Sequence, residues 1–564
     1  MSKRFGWARD LWKLAKPYWT SEEKWKAWGL LAIILTFTFT SVFIMVKLNM
    51  WNQDFFNALQ NMDKDAFPKL MMKFAVIAVS YILIVVYKNY LMQLLELNWR
   101  RWMTRQMLDQ WLARRTYYFW QLTQQASTDN PDQRIAVDVA EFTDTTLSLF
   151  IAIVRQVSTL FSFVTILWML SGPMTLPILG WSIPGYMVWV CLLYSGGGTL
   201  VTHWVGRKLI PLNFNSQRFG ANFRFALVRL RENGESIALS DGGRFELNYL
   251  LGKFTDIYNN FRSIMDKQKQ LTFFTVFYDQ LANVFPLFIA APRYFSGAIK
   301  LGGLTQISNA FGHVQNSLSF IINAYSTIAH WRSVVQRLAG FQESMEAAAL
   351  QEKIPREKIL TESTKSSLQV HDLNLELPNG IKLASGINLE VPQGKSLLVS
   401  GPSGCGKSTF FRTISGIWPF ANGRIELPAG MRGMVLPQKP YLPVDTLKSG
   451  LTYPEAPKNI TDSQIQELMT LCRLGHLIPR LHDIENWSQI LSPGEQQRVG
   501  FARILIHQPD WLFLDEATSA LDEPTQAHLY QTLRTRLPKL TLISIAHRAS
   551  LKDFHDMHFE MASG

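Results

Sequence analysis

LLVSGPSGCGKST, residues 397–409, runs from a short apolar stretch straight into a glycine-rich turn. The apolar part reads as a buried strand. GPSGCGKST (401–409) fits G-x-x-x-x-G-K-[ST] directly after that strand, the setting the motif requires. Gly401, Gly404 and Gly406, with Pro402, Ser403 and Cys405 between them, let backbone N–H groups curl around phosphate oxygens. Lys407 reaches β- and γ-phosphates, Ser408 offers a hydroxyl to Mg²⁺, and Thr409 closes the motif. A run this short can arise by chance, so its partners downstream decide.

WLFLD (511–515) is a second buried-strand pattern, and it ends in Asp515 followed by Glu516. A carboxylate at a strand end can hold the Mg²⁺ shell, and the adjacent Glu can polarise an attacking water as general base. ATSALD then brings Asp522, and ISIAHR places His547 after another strand, in a position to support the γ-phosphate. Gln438, in VLPQKPYLP, fits a glutamine that senses Mg²⁺ and γ-phosphate. Any one of these alone is an ordinary solvated residue. Their order over about 140 residues points to a nucleotide hydrolase with ATP and Mg²⁺ as cofactors.

The first half of the chain has another composition. Charged residues make up 18% of the 564 residues, against about 25% usually, and the chain holds 36 Phe and 18 Trp. Between Arg155 and Arg207 no Asp, Glu, Lys or Arg occurs, and a span needs roughly 20 apolar residues. Gly172, Pro173 and Pro177 divide that run. Six spans follow: 28–47, 74–95, 149–171, 177–204, 271–292 and 303–329. The net charge of +12 would suit nucleic acid, but the basic residues collect at span ends, in 97–146 and 206–270. That excludes a nucleic-acid partner and puts those segments and both termini on the cytoplasmic side. Cys191, Cys405 and Cys472 have no metal or disulfide spacing. No cleavable leader is read, because the first apolar run starts near Trp28 and is span-length.

The fold class is therefore a membrane α-helical bundle plus an α/β P-loop nucleotide-binding domain. Its expected parts are an N-terminal interfacial helix in 1–26, a six-helix transmembrane domain in 27–341, a linker in 342–366 and a cassette in 367–564. Trp7, Leu11, Leu14 and Tyr18 share one face of the first helix, which lies on the lipid surface or packs on protein. Asn309, His313, Asn316 and Asn323 share a face of the last span. Such a stripe walls a solute cavity or hydrogen-bonds between helices. Lys88 and Asp279 are ionisable residues in or near spans that line the pathway or lie near its cytoplasmic end.

Residues 368–564 resemble an ATP-binding cassette, and the whole chain resembles a half-transporter of the ABC superfamily. WNQDFFNALQ (51–60), NPDQRI (130–135) and ENGESIAL (232–239) are similar to segments of the bacterial YddA-like transporters, which fuse an SbmA/BacA-type membrane domain to an ATPase. That group includes a mycobacterial cobalamin and peptide importer; the peroxisomal fatty-acyl half-transporters are more distant. The resemblance implies an exporter-type bundle in a bacterial inner membrane, with ENGESIAL as the element that couples to a cassette. It also implies a dimer, a homodimer being simplest and a heterodimer open. LSPGEQQRVG (491–500) then resembles the signature loop LSGGQ, with Ser492, Gly494, Glu495 and Asp522 serving the partner's ATP. Pro493 and Glu495 depart from that pattern. Physically, Ser492 at N-cap, Pro493 at N1 and Glu495 at N3 make a capping box that opens a helix toward an anion.

A second departure is Leu377, where such cassettes carry an aromatic that stacks on adenine. It implies weak discrimination of base: ATP and GTP should be hydrolysed at comparable rates, and a strong ATP preference would refute this. The implied cargo is a bulky amphipathic or hydrophilic solute such as a peptide or cobalamin-like compound. Fatty acids or acyl-CoA are the alternative, and a membrane-bound ATPase that signals without transport is the rival of another class.

Overall fold

The computed structural model describes residues 6–123, 130–175, 182–351, 359–455, 460–546 and 548–562. They form two units, one of residues up to Leu108 with Asn130–Phe341, the other of Asp109–Asp129 with Gln342–Gly564.

The first unit is helical: α1 (Gly6–Trp19), α2 (Lys24–Gln60), α3 (Ala66–Leu112, its last turn in the second unit) and, after α4 (Thr116–Thr123) in the second unit, α5 (Val139–Ser171), α6 (Tyr186–Gly206), α7 (Leu209–Glu232), α8 (Gly234–Leu239), α9 (Gly243–Phe295), α10 (Leu301–Asn323) and α11 (Tyr325–Gln351). Four stretches, Lys24–Gln60, Ala66–Leu122, Pro131–Ser171 and Gly243–Phe295, are long and apolar enough to cross a membrane. The Thr and Ser hydroxyls of α2 are satisfied within the helix, as lipid requires. Thr36 donates to the Ala32 carbonyl at 2.9 Å and Thr38 to Ile34 at 2.7 Å.

Three expectations need correction. The fourth span starts at Tyr186 rather than 177, because β1 (Pro173–Thr175) and β2 (Ser182–Pro184) pair as an antiparallel hairpin and Gly185 turns at φ 62°. The last span is two helices, broken at Ala324 between α10 and α11. The face of α1 drawn as interfacial is packed on protein: Leu14 and Tyr18 are buried, and Tyr18 stacks 5.6 Å from Trp99. Its outward face is carried by Trp12, 65% exposed.

Two of the motifs lock helices together. Leu301 and Gly302 open α10 with N–H groups that have no helical partner. Gln60 Oε1 takes the first at 2.8 Å and Asn57 Oδ1 the second at 3.0 Å. The helices approach so closely that a Cβ at Gly302 would overlap the Gln53 carbonyl. NPDQRI leads into a π-turn, Arg134–Asp138, that buries Asp138 completely. Its carboxylate accepts from Arg134 at 2.6 Å and from Arg337 Nε and Nη2 at 2.9 and 2.8 Å, tying α5 to α11. ENGESIAL forms α8 at the tip of the α7–α9 pair. None of its residues is buried, and Leu239 is 82% exposed.

The second unit begins with a piece the membrane half lends it. In α4 Leu122 packs on a cassette core and Trp120 donates to Ser344 Oγ at 3.0 Å, and in the turn just before it Arg115 donates to the Ser415 carbonyl at 3.3 Å. The expected linker 342–366 is largely structured. The helix formers EAAAL carry α11 to Gln351, and β3 (Leu360–Ser363) joins a sheet.

The remaining strands are β4 (Ser367–Glu376), β5 (Lys382–Pro392), β6 (Ser396–Ser400), β7 (Ala421–Pro428), β8 (Gly433–Leu436), β9 (Asp445–Thr446), β10 (Ile484–Glu485), β11 (Trp511–Asp515), β12 (Thr541–Ile545) and β13 (Met557–Glu560). One sheet has the order β13-β6-β12-β11-β8, parallel throughout; a second has β3-β7-β4-β5, and β9 and β10 form a separate antiparallel pair. Parallel strands are buried on both faces, which is why SLLVS and WLFLD read as unbroken apolar runs. The carboxyl ends of β6, β11 and β12 lie side by side, Asp515 in register with Ile545, and there the chemistry collects.

Candidate functional site

The phosphate loop leaves β6 and enters α12 (Lys407–Ile414). Gly401, Gly404 and Gly406 have φ of 150°, 84° and 95°, a region only glycine takes without strain. At Gly401 a Cβ would also stand 2.5 Å from the Met561 carbonyl oxygen. Lys407 folds over the loop and donates to the carbonyls of Gly401 and Pro402 at 2.9 and 2.8 Å. Cys405 and Thr409 are buried beneath it.

Ser408 Oγ donates to Asp515 Oδ1 at 2.9 Å, so the two groups assigned to Mg²⁺ are adjacent. Burial pushes the Asp515 carboxyl above its usual value; the Ser408 hydrogen bond opposes this and the neighbouring Glu516 charge adds to it. Hard oxygen donors beside a crowded carboxylate pair fit Mg²⁺, which takes one or two carboxylates plus phosphate oxygens. Glu516 has φ 47°, a strained position for a side-chain-bearing residue. Its N–H donates to the Ile545 carbonyl at 3.1 Å, and Gln438 Nε2 stands 3.4 Å from its Oε2. The structure thus brings together Lys407, Ser408, Asp515, Glu516 and Gln438. His547 lies outside the described residues.

Ser492 is the N-cap of α13 (Pro493–His507), with Pro493 at N1 and both halves of the capping box made. Glu495 Oε2 accepts from the Ser492 N–H at 3.0 Å and from its Oγ at 2.8 Å. The two glycine positions of the signature pattern differ physically. A Cβ at Gly494 would press within 3.1 Å of the Ala520 carbonyl, whereas Pro493 costs nothing at N1. Asp522, exposed, stands at the N-cap position of α14 (Glu523–Arg536) without a side-chain capping hydrogen bond. Leu377 lies at the turn after β4, its N–H donating to Ile381 O at 2.8 Å.

Three residues escaped the sequence reading. Gln497, buried in α13, donates to the Gln438 carbonyl at 3.0 Å and accepts from the Ala520 N–H at 3.0 Å. Arg548 donates to the Leu521 carbonyl at 2.7 Å and to Ser519 O at 3.2 Å. Both fix the backbone between Glu516 and Asp522; Gln497 stood in a quoted motif, but nothing local marks it as inward. His476 Nε2 meets Glu495 Oε1 at 2.8 Å, beside the charge that the variant signature introduces.

That contact carries a prediction. Burial would raise the Glu495 carboxyl, but the hydrogen bonds from Ser492 and His476 outweigh it and hold it below its ordinary value. A depressed carboxyl stabilises the fold above its unfolded value, about 4.3, and the gain is lost as pH falls through the lower folded one. Glu495→Gln should therefore cost about 1 kcal/mol at pH 7, the worth of a cap. Its melting temperature should converge with wild type only as pH falls through the depressed folded value, which lies below the unfolded one of about 4.3. A gap that persists there would refute the charge-based account.

Of the cavity stripe, Asn309, Asn316 and Asn323 are exposed and His313 is half-buried, its ring 4.2 Å from that of Phe163. Asn309 and His313 line a cleft, which they share with Asn49 and Asn52 of α2. Lys88 is half-buried on α3 and Asp279 exposed on α9.

Residues 14–295 match the family described as ABC transporter transmembrane region 2, and residues 384–519 match the ABC transporter family. The chain is 36% identical to the inner membrane ABC transporter ATP-binding protein YddA of Escherichia coli K12, over 96% of this chain and 95% of that one. It is 25% identical to the human lysosomal cobalamin transporter ABCD4, over 98% and 94%. Among solved structures it is similar to a bacterial Atm1-family ABC exporter with ATP bound: TM-score 0.72, 18% identity, 96% of this chain and 94% of that chain covered.

Proposed function

The chain belongs to the ABC transporters, as an integral membrane protein with an ATP-hydrolysing cassette of its own, and from that premise we propose that two copies pair to drive a bulky polar or amphipathic solute across a membrane. The observation that carries this reading is the cluster of Ser408, Asp515, Glu516 and Gln438, assembled on the same polypeptide as membrane-length helices. Lys407 and the loop N–H groups hold phosphates, Ser408 and Asp515 hold Mg²⁺ with Gln438, and Glu516 polarises the attacking water. His547 supports the γ-phosphate. Ser492 and Gly494, with Glu495 and Asp522 behind them, close on the partner's ATP.

A homodimer is the simplest pairing. It is supported by α8 and the flanking helices, whose Leu239, Phe214 and Phe245 are exposed in the single chain, with α8 as the coupling element. The basic segments 97–146 and 206–270 support cytoplasmic termini, and the relationship to an inner membrane protein supports that membrane. Peptides or cobalamin-like compounds are favoured as cargo by the Asn and His stripe and by the description of the human relative.

The test is ATP-dependent movement in sealed vesicles of both orientations, with peptides, cyanocobalamin and acyl-CoA offered in turn. One solute class should move with wild type and fail with Glu516→Gln. Hydrolysis without movement of any of them would overturn transport in favour of a signalling ATPase.

A further inference from the structure

Near one end of the bundle, α2, α3 and α10 enclose a cleft of about 430 Å³. Its polar lining is Asn49, Asn52, Asn309, His313 and Tyr81; the rest is aliphatic, with Phe74. Asn49 and Asn52 are three residues apart on α2, and Asn309 and His313 four apart on α10, so each pair shares a helix face. The facing pairs sit at matching depth. Asn49 is roughly 16 Å along α2 from Gln60, and Asn309 roughly 12 Å along α10 from Leu301, at 1.5 Å per residue. Those two ends are the ones that Gln60 ties together.

Asn49 is the anomaly. Its side chain is buried, with the residue 2% exposed, yet neither Oδ1 nor Nδ2 has a hydrogen-bond partner among the described residues. A buried carboxamide left unpaired is costly, and native proteins rarely keep one without a use. The other hydroxyls of α2 show what the helix does with groups that need no outside partner: they bond back to its own carbonyls. Asn49 instead reserves two donors and an acceptor for something in the cleft.

We infer that this cleft is a solute-recognition site that takes a neutral amide or carboxamide group, seated by Asn49, Asn52 and Asn309 against the aliphatic wall and Phe74. The inference rests on the transport reading above. A carboxamide is the complement of another amide, offering donor to acceptor and acceptor to donor. No Asp, Glu, Lys or Arg lines the cleft among the described residues, so a phosphate, carboxylate or ammonium finds no counter-ion there. A bare acyl chain would fit the wall but leave the Asn49 carboxamide unpaired. Solutes rich in neutral amides along a partly apolar body satisfy both surfaces.

The experiment is equilibrium binding to the full-length protein in nanodiscs, with N-acetyl-tetraalanine amide and cyanocobalamin as amide-bearing probes and palmitate as the amide-free one. Wild type should bind at least one amide probe. Asn49→Leu, similar in volume, should weaken that binding about 10-fold or more, the worth of hydrogen bonds lost to a buried partner, and Asn309→Leu should act in the same direction. Palmitate binding should hold or tighten. The melting temperature of Asn49→Leu should not fall, because the side chain has no partner inside the protein to lose. Amide probes that bind both variants as they bind wild type, or bind none of the three proteins, overturn the site. So does a lowered melting temperature in Asn49→Leu, which would mean that the carboxamide is paired within the assembled dimer. ATP-driven movement of a solute indifferent to both substitutions sinks the site and leaves transport standing. Asn49-dependent binding of a probe that vesicles never move leaves the site standing and sinks transport.

Discussion

Glu516→Gln is expected to bind ATP and to lose hydrolysis by about 10² to 10⁴-fold, the range for removing a general base. The carboxamide keeps the size of the carboxylate and its contact with Gln438, 3.4 Å away. The backbone at φ 47° is held by the Ile545 hydrogen bond, which the substitution does not touch. Nor are the parts that grip phosphate altered, since Lys407 and Ser408 belong to another strand end. What goes is the ability to draw a proton from water. The variant should therefore accumulate in its ATP-bound form, seen as an ATP-dependent dimer by size-exclusion chromatography in detergent. Steady-state hydrolysis in nanodiscs checks the rate. Activity above about a hundredth of wild type would move the base elsewhere, because the lower bound for such a loss is about 10²-fold. Loss of ATP binding together with hydrolysis would mean that Glu516 shapes the loop rather than the chemistry.

The cassette chemistry was legible because its determinants are local. Glycines that must take left-handed φ, a lysine and a serine stand within nine residues of one another, from Gly401 to Thr409, behind a strand whose apolar run announces burial. The S-x-x-E capping box of Ser492 and Glu495 is local in the same way, and it forms as the spacing requires. What sequence could not give were contacts between segments far apart in the chain. Arg337 lies 199 residues from Asp138, and His476 is 19 from Glu495 with β10 and a short helix between them. Gln497 reads as one more polar position in a helix until the fold turns it toward Gln438. Asn49 stands just beyond the span read as 28–47 and outside every quoted motif, and the packing of α10 against α2 shows that it is enclosed. The α1 face went the same way: an amphipathic stripe suits a lipid surface or a protein groove equally, and periodicity alone does not choose.

Asp138 should be the most sensitive structural residue of the membrane half. Its carboxylate is fully buried and carries three charge-assisted hydrogen bonds from two guanidinium groups, one pair of them the parallel fork of Arg337. Removing the buried carboxylate withdraws the counter-charge on which two guanidinium groups converge, a loss of up to about 3–5 kcal/mol, with Glu141, 3.9 Å from Arg337, compensating in part. Asp138→Ala should thus lower the unfolding free energy by about that much, far outside the ±0.5 kcal/mol of an ordinary surface change. The π-turn Arg134–Asp138 should loosen with it, since its end residues are the two that pair. Denaturant unfolding in detergent micelles, followed by tryptophan fluorescence, reads the effect. Trp331 is a useful reporter because its Nε1 donates to Thr146 Oγ1 at 2.8 Å across the same pair of helices. The double variant Asp138→Ala with Arg337→Ala should be less unstable than the sum of the singles, because each single already loses the bond the two residues share. Strict additivity would show the three groups to be independent, and a shift within the surface range would show the cluster to be hydrated in solution. The same cluster anchors the Arg337 turn of α11, a helix that runs on without a break to Gln351.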